Sequence, residues 1–226
     1  DNRVLGLGSN NRGQLGNGTN GRIGIPVPLT KLEGLKELKV GKHFIALKED
    51  GTLWGWGENT YGQLGNGTTK DADSFTKVEN IEGVIDFDVG SWHTVALKED
   101  GTVWTWGSNG YCQIGQRTEE NNHIPARVLD IDGVISVKAG TLFTMALKDD
   151  GTVWVWGSNL YGELGSGYVS GYSDTPVKVE SLENVMAIEA NGDSLFALKE
   201  DGTVWTWGRN MAAGLGDDVN GNNRVP

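Results

Sequence analysis

The stretch Ala46-Leu47-Lys48-Glu49-Asp50-Gly51-Thr52-Leu53-Trp54-Gly55-Trp56-Gly57 decides the fold, because it returns in three later copies that begin at Ala96, Ala146 and Ala197. These copies end at Gly57, Gly107, Gly157 and Gly208, and a degenerate first one, Val4-Leu5-Gly6-Leu7-Gly8, ends at Gly8. The spacings are therefore 49, 50, 50 and 51 residues. A period near 50 residues is the size of one propeller blade. Eight of the nine tryptophans fall in the W-x-W pair, and the first copy has Leu5 and Leu7 in their place.

Working outward, His93-Thr94-Val95-Ala96-Leu97-Lys98 and Thr102-Val103-Trp104-Thr105-Trp106 are β-branched and aromatic runs separated by Glu99-Asp100-Gly101. Asp-Gly between such runs signals a hairpin, here expected to be a tight primed turn with Gly at positive φ. Two weaker runs, Ile124–Val128 and Val134–Lys138, follow. Four short strands per unit, with no helical period, predict an all-β chain: a β-propeller of four-stranded blades, with a solenoid as the alternative. About four and a half repeats form a single repeat domain over residues 1–226. Trp104 and Trp106 project to one side of their strand, which predicts an indole surface laid on the neighbouring blade and a core role for the W-x-W pair.

Composition narrows the function. The 226 residues carry 19 Lys+Arg against 30 Asp+Glu, a net charge of −11. Binding to nucleic acid draws on clustered Lys/Arg at phosphates, and no run of three basic residues occurs, so no nucleic-acid partner is expected. No apolar stretch approaches the roughly 20 residues of a membrane-spanning helix, so no membrane insertion is expected. A single cysteine, Cys112, cannot form an internal disulfide and leaves the compartment open.

Chemistry is sparse. His43 and His93 share one repeat position, filled by Phe143 and Ser194 in the other units, which reads as repeat architecture. His123 has no partner nearby in sequence for a catalytic or metal set. Cys112 takes the place of Gly62 and Gly162 and reads as a substituted loop residue. No phosphate-binding loop occurs. The segment from Asp217 to Asn223 offers oxygen ligands without calcium-loop spacing and reads as a turn. No cofactor, no metal and no enzymatic activity are expected. The hairpin turns carry eight carboxylates (Glu49, Asp50, Glu99, Asp100, Asp149, Asp150, Glu200, Asp201) against Lys48, Lys98, Lys148 and Lys199, an excess of four, read as a solubilising rim.

The units closely resemble the regulator of chromosome condensation repeat, marked by A-L-[KT]-x-D-G-x-[VL]-[WY]-x-W-G followed by N-x-x-G-Q-L-G, as in Asn59-Thr60-Tyr61-Gly62-Gln63-Leu64-Gly65. The resemblance covers essentially the whole chain. It implies a propeller face that grips another protein: one member exchanges nucleotide on a small GTPase at chromatin, and bacterial relatives inhibit β-lactamases. Most members close a seven-bladed ring, roughly 350 residues at this period, so the resemblance implies a chain truncated at its C-terminus. Open blade edges would invite self-assembly.

The position just before the His/Phe/Ser site changes chemistry at every unit: Lys42, Trp92, Leu142, Asp193. Such variation on a constant frame predicts a surface. Trp92 matches the aromatic of the G-x-[YW]-H-x-x-A-L-K pattern in the β-lactamase inhibitory propellers, on the loop that meets the partner. Tyr61, Tyr111 and Tyr161, on the loop after W-x-W-G, extend that face, and Trp and Tyr are frequent interface anchors. The expected function is non-enzymatic protein binding through this face. The alternatives are nucleotide exchange on a small GTPase, or a carbohydrate or cell-wall binding module; the resemblance weakly favours a bacterial, exported or surface location.

Overall fold

The computed structural model describes residues 4–29, 33–169, 171–210 and 221–226. Among these residues there are seventeen elements, all β-strands. A half-blade pairs β1 (Leu5–Gly8) with β2 (Ile23–Pro28). Blade I follows as β3 (Leu35–Val40), β4 (His43–Lys48), β5 (Leu53–Gly57) and β6 (Ala72–Lys77). Blade II is β7 (Val84–Val89), β8 (His93–Lys98), β9 (Val103–Gly107) and β10 (Asn122–Arg127). Blade III is β11 (Val134–Ala139), β12 (Phe143–Lys148), β13 (Val153–Ser158) and β14 (Tyr172–Lys178). Blade IV has β15 (Val185–Asn191), β16 (Ser194–Lys199) and β17 (Val204–Gly208), with one further bridge from Gly208 to Asn223. Every strand-to-strand pairing is antiparallel between sequence neighbours, as the four-strand repeat predicts, and an isolated bridge from Asn17 to Ser74 ties the half-blade to blade I. The run after Ile131 belongs to the next blade, where it is the inner strand.

The core lies between blades. Ile45, Leu47 and Leu53 of blade I meet Phe87, Ala96 and Trp106 of blade II, and the same set recurs at the next two junctions, with Trp156 and then Trp207 at the centre. Alternation explains the constant Ala-Leu: alanine leaves room for the indole on one side of the strand while leucine fills the opposite interface. The second tryptophan of each pair is fully buried (Trp56, Trp106, Trp156, Trp207). The first meets the core expectation only in part: Trp104 and Trp154 pack against the core clusters but, like Trp54, are half-buried, and Trp205 is 37% exposed. It lies toward the hairpin end, where its Nε1 donates to Thr52, Thr102, Thr152 or Thr203 at 3.0–3.1 Å. The threonine hydroxyl donates to Asp50, Asp100, Asp150 or Asp201 at 2.6 Å, and the lysine ammonium stands 5.0–5.6 Å from the ring centroid. Half of the acidic rim is thus structural, its carboxylates held below the usual pKa range chiefly by the threonine hydroxyl.

The hairpin itself also differs from the expectation. Gly51 N donates to Lys48 O and Lys48 N to Thr52 O, while only Gly51 has positive φ, 75°. That is a three-residue loop ending in a glycine bulge, not a two-residue primed turn.

Blades are also stitched near the axis. Asp86 Oδ2 accepts from Ser136 Oγ (3.0 Å) and Val137 N (3.1 Å), and Asp88 Oδ2 from Ala139 N (2.9 Å), so β7 satisfies backbone donors of the next inner strand.

Candidate functional site

The turns before β4, β8, β12 and β16 and the loops after β5, β9 and β13 emerge at the same end of the blades. His43 pairs with Gly57, His93 with Gly107, Phe143 with Gly157 and Ser194 with Gly208, and Ser108 N donates to Trp92 O, Ser158 N to Leu142 O and Arg209 N to Asp193 O. The Asp-Gly hairpins lie at the opposite end. Lys42, Trp92, Leu142 and Asp193 are thereby fixed on one face.

A buried asparagine organises each loop. Asn59 Oδ1 accepts from Leu64 N (2.9 Å) while its Nδ2 donates to Thr68 O (3.0 Å), and Asn10, Asn109 and Asn159 play the same part. The next buried side chain positions the aromatic: Gln63 Oε1 accepts from Tyr61 N (2.9 Å), Gln113 Oε1 from Tyr111 N (3.0 Å) and Glu163 Oε2 from Tyr161 N (2.8 Å). Burial raises the Glu163 pKa. The same residues dock the loop on the following blade, as Trp106 Nε1 and Thr94 Oγ1 both donate to Gln63 O. The asparagine (Asn10, Asn59, Asn109, Asn159) and the glutamine (Gln14, Gln63, Gln113) recur in phase in the sequence, but the hydrogen bonds they make are visible only in the structure.

The repeat places each tyrosine opposite the variable position of the following blade, and one such pair is in direct ring contact. Tyr61 of blade I meets Trp92 of blade II edge to face, with centroids 5.3 Å apart at 82°. Lys42 Nζ lies 3.3 Å from the Trp92 ring centroid. Tyr111 and Leu142 hold the equivalent places at the next junction, Tyr111 37% exposed and Leu142 half-buried. At the third, Arg209 lies over Tyr161 (4.6 Å) and its Nη1 is 3.1 Å from Asp193 Oδ2. On the other flank Arg12, in the place of the tyrosines, pairs with Asp71 (2.8 Å) and Glu58 (3.9 Å). Arg12 and Arg209 belong to the face and were not picked out from sequence; the departure of Arg12 from the tyrosine position and of Arg209 from Glu58, Ser108 and Ser158 was the available signal. The face is thus two aromatic and apolar junctions bounded by two ion-paired ones.

Near the axis, Lys42, Ser91 and Thr141 share a cavity of about 450 Å³ with Asp88 and Glu189. The histidines sit beneath this surface. Both are fully buried, His43 Nε2 is 2.8 Å from Thr94 Oγ1 and His93 Nε2 3.1 Å from Thr144 Oγ1, and burial lowers their pKa to about 3 and about 4. Cys112 is buried with φ 58°, and burial followed by the nearby Asp174 and Glu119 pushes its thiol up to about 11. Among the described residues no group of three or more His, Cys, Asp or Glu is placed to hold a metal, and no helix is long and apolar enough to cross a membrane. Residues 217–220 of the candidate calcium segment lie outside the described residues.

A family model described as the Regulator of chromosome condensation (RCC1) repeat matches residues 1–45, 50–97, 100–147 and 150–198, and a second model of the same repeat matches 84–113 and 134–163. The chain belongs to the RCC1 repeat family, and its blades are those of an RCC1-like propeller, a protein-interaction fold. The chain is similar to the crystal structure of human WBSCR16, with TM-score 0.87 and 24% identity, covering 100% of this chain and 62% of that one. It is also similar to Prp20p from Saccharomyces cerevisiae, with TM-score 0.83 and 21% identity, covering 99% of this chain and 58% of that one; that structure's description includes binding to Gsp1p and histones. Yeast RCC1 (Prp20) bound to Kap60 matches at TM-score 0.80 and 20% identity, over 92% of this chain and 52% of that one. The chain therefore spans about three fifths of the first two relatives. No curated protein sequence is matched.

Proposed function

We propose that this propeller is a non-enzymatic binding scaffold that grips another protein through the face carrying Lys42, Tyr61, Trp92, Tyr111 and Leu142, bordered by Tyr161, Asp193 and Arg209. The observation that carries this reading is the layout of the face. An aromatic and apolar centre spans two blade junctions, and the flanking junctions are closed by Arg12–Asp71 and Arg209–Asp193 pairs. An apolar centre within a polar rim is the usual anatomy of a protein interface, here with the Lys42 ammonium set against the central Trp92, and half-exposed Trp and Tyr on a rigid frame are its commonest anchors. The binding of Gsp1p and histones by Prp20p, and its complex with Kap60, favour a protein partner for a chain of the same fold.

The test is capture of a partner from cell and secreted extracts by the wild-type chain and by Trp92→Ala, after equal thermal stability has been established. A partner retained by the wild type and lost by the variant supports the reading, and equal retention overturns it. Release of labelled GDP from small GTPases, measured with the same two proteins, separates simple binding from nucleotide exchange.

A further inference from the structure

We infer that the partner presents a carboxylate to Lys42 beside a large apolar side chain that packs on Trp92 and Tyr61; this deepens the reading above and rests on it. The inference comes from how the cations of this face are neutralised. Arg12 is held by Asp71 and Glu58, and Arg209 by Asp193. Lys42 is exposed, sits 3.3 Å from the Trp92 ring centroid, and has no carboxylate within 4.0 Å of its ammonium among the described residues.

The indole face satisfies one side of the ammonium and leaves its other donors to water. A partner that covers Trp92 must strip that water. A wholly apolar partner would leave a buried, unpaired charge, and a cationic one would add repulsion, so both are disfavoured. A partner carboxylate completes the ammonium while its apolar neighbour fills the angle between the perpendicular Trp92 and Tyr61 rings.

The acids in the adjoining cavity do not oppose such a carboxylate strongly. Asp88 is occupied by Ala139 N and faces Lys39 and Lys138, and Glu189 Oε2 lies 3.3 Å from Lys138 Nζ. The partner chemistry that fits is thus an acidic loop flanked by an aromatic or long aliphatic residue.

A phage-displayed library of disulfide-cyclised random peptides, selected on wild type, Lys42→Glu and Trp92→Ala proteins of equal thermal stability, tests this. Wild type should enrich Asp or Glu next to Trp, Phe, Leu or Met. Lys42→Glu should bind those peptides about tenfold or more weakly and enrich Lys or Arg in place of the acid. Peptides that require Trp92 yet bind Lys42→Glu as tightly as wild type would overturn the carboxylate inference and leave the face standing. Peptides indifferent to Trp92→Ala, or no enrichment on wild type, would overturn the face reading and this inference together.

Discussion

His43 Nε2 meets Thr94 Oγ1 at 2.8 Å across the junction of two blades, and Thr94 Oγ1 in turn donates to Gln63 O at 2.9 Å. Because the threonine proton is spent on the carbonyl, the imidazole must be the donor, so His43 carries its hydrogen on Nε2. Its Nδ1, like that of His93, has no hydrogen-bond partner among the described residues. His93 repeats the contact with Thr144, but at the next junction both members change together, to Phe143 and Leu195, each fully buried. The pair, rather than either residue, is the unit the junction accepts.

That pairing is measurable. Thr144→Leu alone strands the His93 donor, and His93→Phe alone leaves the threonine without its donor. The double variant reproduces the Phe143–Leu195 junction. The singles should each destabilise by about 1–3 kcal/mol, and the double should fall short of their sum by about 0.5–3 kcal/mol. Chemical denaturation of the four proteins gives the coupling directly, and strict additivity would show that the two residues do not act as a pair.

Acid should act through the same imidazoles. Their folded pKa values, about 3 and about 4, lie below the ordinary 6.5, so the unfolded chain takes up protons that the folded chain refuses. Their contribution to stability is complete above pH 6.5 and is lost as pH falls toward 4 and 3, at up to about 1.4 kcal/mol per pH unit for each imidazole. Converting one pair to Phe–Leu should flatten the decline of melting temperature between pH 6.5 and 4.5. An unchanged slope would assign acid sensitivity to other groups.

Glycine positions divide by environment. A Cβ on Gly65, at φ +67°, would stand 2.7 Å from Trp106 Nε1 and 2.8 Å from Val78 Cγ1, whereas one on Gly110 would meet nothing within 4 Å. Gly65→Ala should cost about 1–3 kcal/mol, while Gly110→Ala should be neutral or stabilising by up to about 1 kcal/mol. Thermal unfolding of the two variants decides it.

What could be read from sequence tracks how local the physics is. The Asp-Gly turn, the alternation around Val103-Trp104-Thr105-Trp106 and the 50-residue period are contiguous signals, and they delivered blades and strand order. Burial of Trp56 but not of Trp54 depends on what the preceding unit lays over each ring, so identical letters hid different environments. The Lys48–Asp50–Thr52–Trp54 cluster was divided between a charged rim and a core because its hydrogen bonds do not show in a hydrophobic pattern. Trp92 stood out because a variable residue on a constant frame marks a surface. Arg209 also varies on a constant frame, against Glu58, Ser108 and Ser158, but what it does there follows only from the fold, which brings it over Tyr161 of the preceding blade, 48 residues earlier, and beside Asp193 of its own, 16 residues earlier.

The central claim, that the Lys42–Trp92–Leu142 end of the blades is the binding face, is tested most directly by the dissociation constant of a captured partner for four proteins: wild type, Trp92→Ala, Leu142→Ala and, at the opposite end, Glu99→Gln. The account predicts that Trp92→Ala weakens binding by about 30-fold, that Leu142→Ala weakens it less, and that Glu99→Gln leaves it unchanged. Binding untouched by Trp92→Ala, or lost with Glu99→Gln, would contradict it.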